Sequence, residues 1–285
     1  MSAPLRIGAV AYDPKVVTIW DGFKAWFGDN GLALDYVLFS NYEAQVEAHL
    51  GGQVDVAWNS PLAWVRSRRL AAARGGEAVA VAMRDSDRDL TSVIVTRDGD
   101  GPASIEALRG ATIAAGAVDS PQATLLPLSF LRAHDLQPGR DVEVRHFDVL
   151  AGKHGDHVGG ERDAARALVD GEVDAACLLD ATHLLLSREG TLAAGATRVL
   201  ATTAPFDHCN FTALRGARDA EVERFAALLL GMSYADASLR RLFDLEGLRQ
   251  WLPGRIEGYA ALERAVDEAD FYDEHGRITA ADYRY

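Results

Sequence analysis

The sequence predicts an α/β fold made of repeated strand–helix units. Three observations carry this: short apolar runs alternate with amphipathic segments, the amphipathic segments open on capping residues or close on glycine, and the whole scheme recurs in the second half of the chain. Residues 5–12 (LRIGAVAY) read as the first strand, and 14–31 (PKVVTIWDGFKAWFGDNG) as a helix closed by Gly31. Residues 32–39 (LALDYVLF) are the second strand, followed by a helix at 40–52 capped by Ser40 and stopped at Gly51-Gly52. A third strand, 54–58 (VDVAW), leads into a helix that starts on Ser60-Pro61.

The second half repeats this order. Residues 110–118 (GATIAAGAV) are small and apolar, as in a strand buried on both faces, and the run stops at Asp119-Ser120-Pro121. Ser120 is a good N-cap, and Pro121 at the first helical position loses no hydrogen bond. Such a start aims backbone N–H groups and the positive end of a helix dipole at whatever lies above the strand, which suits an anion. A strand at 141–149 follows. Val54-Asp55-Val56-Ala57 is then echoed by Val173-Asp174-Ala175-Ala176, each after a helix ending in glycine and each opening a short strand. Between the halves, 78–110 reads as a crossover strand and a surface loop with Ser104 capping a short helix. Residues 197–216 read as a return strand, and the chain from Glu221 has helical period.

Composition sets bounds on partners. Hydrophobic residues make up 48% and charged residues 25%, as in a globular chain with ample core. A net charge of −13 opposes nucleic acid or anionic membrane as the main partner but not a small anion, which local donors bind. Two cysteines, Cys177 and Cys209, make no disulfide framework, and no run reaches the length of a membrane span. The opening MSAPLRIGAVAY shows no signal-peptide pattern and no lipid-acceptor cysteine, so the expectation is a cytoplasmic protein.

Taken in order, RIGAVAYDP, GGQVDVAWNSP, LRGATIAAGAVDSPQATLLPLSFL, LVDGEVDAAC and TTAPFDHCNF resemble the phosphate/phosphite/phosphonate-binding branch of the type II periplasmic solute-binding proteins. The resemblance implies two lobes, each a mostly parallel sheet flanked by helices, joined by two crossover strands around a ligand cleft. It places 1–92 plus 203–285 in one lobe and 93–202 in the other. It implies a small anionic ligand, an oxyanion or carboxylate, held by hinge closure. An ABC transporter is implied as partner only for an exported protein. One departure is plain: Gln122 and Ala123 interrupt the Ser/Thr run that phosphonate binders of this branch offer at the second-lobe helix start.

Ligands of open α/β sheets sit beyond the carboxyl ends of strands. That rule selects Tyr12-Asp13, Ser40-Asn41-Tyr42, Asn59-Ser60, Ser120-Gln122-Thr124 and Asp180-Thr182, in which neutral donors dominate. Two stretches carry further chemistry. AGKHGDHVGGE holds Lys153, His154, Asp156 and His157, which suit an anion clamp, a metal, or simply a polar loop. FDHCNF sets His208 beside Cys209, either as a thiolate nucleophile or metal ligand, or as a buried thiol with a hydrogen-bonded histidine. On a regular strand the two would face opposite ways. No cofactor motif is present, and no metal is assigned. The main expectation is an anion-binding protein with Lys153, His154 and His208 among its ligand groups. The alternative is a cytosolic enzyme on the same fold (desulfinase, decarboxylase or lyase type, or like the pyrimidine synthase of thiamin biosynthesis) with Cys209, His208, Lys153 and His154 as its working groups. A third reading is a cytoplasmic ligand sensor.

Overall fold

The computed structural model describes residues 3–149, 151–155, 160–281 and 283–285. The chain forms two compact units: 1–88, 207–259 and 272–278 in the first, and 89–206, 260–271 and 279–285 in the second. The first opens with β1 (Leu5–Val10), α1 (Lys15–Asp29), β2 (Leu34–Phe39), α2 (Tyr42–Leu50), β3 (Val56–Asn59), α3 (Pro61–Ala73) and β4 (Ala78–Arg84). The second holds β5 (Ser92–Arg97), β6 (Thr112–Ala115), α4 (Leu126–Arg132), β7 (Glu143–His146), α5 (Glu161–Val169), β8 (Ala175–Leu179), α6 (Asp180–Arg188) and β9 (Thr197–Thr202). The chain returns to the first unit for β10 (Asn210–Leu214), α7 (Asp219–Leu230), α8 (Arg240–Glu246) and β11 (Trp251–Pro253). It then adds α9 (Ala260–Glu268) to the second.

The sheet of the first unit has strand order β11-β4-β10-β3-β1-β2, and that of the second β7-β6-β8-β5-β9. Each is mixed. β2-β1-β3 and β7-β6-β8 run parallel, as helix crossovers require, while β10, β4, β11, β5 and β9 pair antiparallel. The Val-Asp echo has a structural basis. Asp55 accepts the Arg6 N–H at 2.8 Å and Asp174 accepts the Thr112 N–H at 2.8 Å, so each carboxylate caps the start of the middle strand of its unit's parallel trio. In return the Asp55 and Asp174 N–H groups donate to the Arg6 and Thr112 carbonyls.

Helix α1 buries Val16, Ile19, Trp20, Phe23 and Phe27, a stripe at i, i+3, i+4 spacing, against Phe211, Phe225 and Trp251. A Cβ at Gly22 would lie 2.3 Å from Leu242 Cδ2, so the absence of a side chain lets α8 pack close. The helix at Ser120 starts where expected, with Ser120 Oγ accepting the Ala123 N–H at 3.1 Å. Its first turn, 121–125, is π-helical before α4 begins. Pro127 has no N–H to return to the Ala123 carbonyl, and the Gly116 N–H takes that carbonyl at 3.0 Å instead.

Four points differ from the sequence reading. The cap of α2 is Asn41, whose side chain accepts the Ala44 N–H, while Ser40 stays exposed one residue earlier. The segment read as one crossover strand is two, β4 and β5, in different sheets. The C-terminal part is not all helix, because β11 pairs with β4. Residues 260–271 and 279–285 join the second unit, where α9 packs on α4.

Candidate functional site

In the second unit, Asp119, Ser120, Gln122 and Thr124 are all buried. Thr124 Oγ1 donates to the Ala117 carbonyl at 2.7 Å, so its proton serves the loop. Asp119 organises the surroundings: its Oδ2 accepts the Gly152 N–H at 2.6 Å, the His154 N–H at 3.1 Å and the Tyr283 hydroxyl at 3.2 Å. Among the described residues its Oδ1 has no hydrogen-bond partner, and neither does Gln122 Oε1. Gln122 Nε2 donates to the Gly155 carbonyl at 2.8 Å. The loop Lys153–Gly155 is thereby bound to the helix start. His154 is fully buried with φ of 53°, a left-handed conformation held by its N–H bond to Asp119. Gly155 has φ of 65°, and a Cβ there would fall 2.3 Å from Ser120 Oγ. Lys153 is half-buried, and desolvation lowers its pKa. Asp156 and His157 lie outside the described residues.

In the first unit Ser60 caps α3 as Ser120 caps its helix, accepting the Ala63 N–H at 3.1 Å, with Pro61 next. Asn59 is committed to the core. Its Oδ1 accepts from Gln45 Nε2 at 2.8 Å, and its Nδ2 donates to Ser67 at 3.2 Å and Thr212 at 3.0 Å. Tyr42 is buried against Val10, Val46 and Ala63. Trp58 belongs to the aromatic core. Tyr12 is half-buried with Lys15 Nζ 5.7 Å from its ring centroid. In the second unit Asp180 is the exposed first residue of α6, with Thr182 half-buried beyond it.

Residues 207–209 precede β10 and are not strand, which removes the alternation that would have separated His208 from Cys209. Cys209 Sγ stands 3.1 Å from His208 Nδ1, and Asp87 Oδ1 stands 3.5 Å from the same nitrogen. Arg84 forks onto Asp87, Nε to Oδ2 at 2.6 Å and Nη2 to Oδ1 at 2.8 Å, and reaches Glu246 Oε2 at 3.2 Å. Burial raises the Asp87 carboxyl pKa, but the charge and hydrogen bonds of Arg84 and then His208 outweigh it and hold it well below the carboxylate range. Cys209 is 0% exposed and packs in the hydrophobic core of the first unit. That placement corrects the nucleophile reading, since a thiol sealed in a core meets no substrate. A base relay is absent as well, because thiol and carboxylate address one nitrogen of the ring rather than opposite ones.

The sequence reading missed Asp119 as an organiser, and with it Tyr283, Arg84 and Asp87. The Asp-Ser-Pro signal pointed to the first. Nothing local pointed to the others, whose partners lie far along the chain.

A family of proteins described as "ABC transporter, phosphonate, periplasmic substrate-binding protein" matches this chain over residues 9–259. Among solved structures, PhnD1 from Prochlorococcus marinus in complex with methylphosphonate has TM-score 0.68 and 15% identity, covering 93% of this chain and 98% of its own. XAC2383 from Xanthomonas citri bound to chloride has TM-score 0.70 and 19% identity, covering 94% and 100%. The periplasmic aliphatic sulphonate binding protein SsuA from Escherichia coli has TM-score 0.59 and 19% identity, covering 94% and 91%. At these identities the likeness is one of fold. No curated protein matches the chain in sequence.

Proposed function

The chain belongs to the family of periplasmic substrate-binding proteins of phosphonate ABC transporters, and from that premise we propose that it binds a small phosphonate-type oxyanion and delivers it to a transporter. The observation that supports this best is the pair of Ser-capped, Pro-led helix starts, Ser60-Pro61 after β3 and Ser120-Pro121 after β6, one in each unit. Each puts the positive end of a helix dipole beyond the carboxyl end of a strand. Ser120 Oγ accepts its cap N–H and keeps a hydroxyl proton to donate to an oxyanion. Lys153, on the loop bound to that helix start, supplies the cationic donor, and burial lowers its pKa from the ordinary lysine value. Gln122 in place of a hydroxyl turns its amide to the Gly155 carbonyl, so fewer hydroxyl donors face the ligand than a Ser/Thr run would give. This favours an oxyanion with an organic substituent over a bare tetrahedral dianion.

Titration calorimetry with methylphosphonate, phosphite, phosphate and short alkanesulfonates tests the reading. Micromolar binding of at least one is expected, with Lys153→Ala weakening it by about tenfold or more, the loss of one charge-assisted hydrogen bond. Absence of binding across the panel by the folded protein sinks it.

A further inference from the structure

We propose that Asp87, His208 and Cys209 bind one divalent metal ion of the zinc class. A carboxylate oxygen, an imidazole nitrogen and a sulfur meet here within 4.8 Å of one another, all from buried residues. Sγ lies 3.1 Å from Nδ1, and Nδ1 lies 3.5 Å from Oδ1. Ligands of a tetrahedral zinc ion stand roughly 3.5 Å apart, given bond lengths of about 2.0–2.3 Å. Both separations from Nδ1 therefore need little adjustment.

Two further observations favour the ion. The backbone fixes the set, since the His208 N–H donates to the Asp87 carbonyl at 2.8 Å and ties the two ligand-bearing segments together. Arg84 holds both Asp87 oxygens, the outer-shell support that orients a ligating carboxylate, and Oδ1 keeps a lone pair beyond its bond to Nη2.

On binding, the Cys209 S–H bond breaks, its proton leaves to solvent, and an Sγ–metal bond forms without any change of oxidation state. His208 gives its Nδ1 lone pair and carries its proton on Nε2. This inference is independent of the anion-binding reading, because it uses none of the helix-start donors.

The test is Co²⁺ and Zn²⁺ titration of the full chain, followed by elemental analysis after desalting. The expected result is one equivalent of metal, a thiolate-to-cobalt charge-transfer band, and a thermal midpoint that rises with Zn²⁺. Cys209→Ala, confirmed folded by circular dichroism, abolishes the band and the midpoint shift, while Cys177→Ala retains both. If Cys209→Ala does not fold, His208→Gln takes its place with the same expected loss. The proposal is overturned if the folded wild type takes up no metal, if the band survives Cys209→Ala or His208→Gln, or if it vanishes in Cys177→Ala.

Discussion

Asp119 gathers three donors onto one carboxylate oxygen, two of them N–H groups of the loop that carries Lys153 and His154. Removing that carboxylate leaves the Gly152 and His154 N–H groups buried without an acceptor, which costs more than the bonds themselves contributed. Asp119→Ala is expected to lower stability in urea by about 3 kcal/mol and to weaken oxyanion binding. A loss below about 1 kcal/mol would mean that water replaces the carboxylate. Gly155 makes the complementary case. With φ of 65° and no room for a Cβ beside Ser120, Gly155→Ala must move the loop or the serine. The expected outcome is weaker anion binding in calorimetry; unchanged affinity would show that the loop's place on Ser120 is irrelevant to the ligand.

Among the elements, β1 and β6 occupy equivalent places, each flanked by two parallel strands and each capped at its start by the aspartate immediately before one of those neighbours, β3 or β8. The two caps are not equally supported. Asp55 also takes Arg6 Nη2 at 3.1 Å and Arg218 Nη1 at 3.2 Å, whereas Asp174 serves the Thr112 N–H. Asp174→Ala is expected to cost about 1–2 kcal/mol and Asp55→Ala about 2–3 kcal/mol, both measured by chemical denaturation. Equal costs would assign no stabilisation to the two arginines, which is the ordinary result for exposed ion pairs.

Across the whole molecule, stability is expected to fall in mild acid through His49. Its imidazole is buried in α2 without a well-formed hydrogen-bond partner, and burial lowers its pKa from 6.5 to about 4 against a smaller opposing pull from Asp55. The folded chain therefore binds fewer protons than the unfolded chain between these values. The stability this neutral ring contributes is present above pH 6.5, declines as the pH falls, and is gone below about 4. His49→Leu should flatten the dependence of unfolding free energy on pH across that window, measured at pH 7 and pH 4.5; an unchanged slope would place the acid sensitivity elsewhere. A bound oxyanion acts at the same scale. At a hundred times Kd it adds about 2.7 kcal/mol and raises the thermal midpoint accordingly.

The sequence by itself determined the α/β class, the two-fold recurrence of strand–helix units, and the Ser60-Pro61 and Ser120-Pro121 helix starts. These are local matters: apolar period, capping side chains and proline's missing N–H act within a few residues and are visible in any short window. Tertiary structure decided what the local signals left open. Asn41 rather than Ser40 caps α2 because only its side chain reaches the Ala44 N–H. Asn59, read as a ligand group, turns inward to Gln45, Ser67 and Thr212. Asp87 meets His208 across more than a hundred residues, and Asp119 meets Tyr283 across 164. Pairings at such separation depend on which strands the sheets set side by side, and no residue's own neighbours encode that choice.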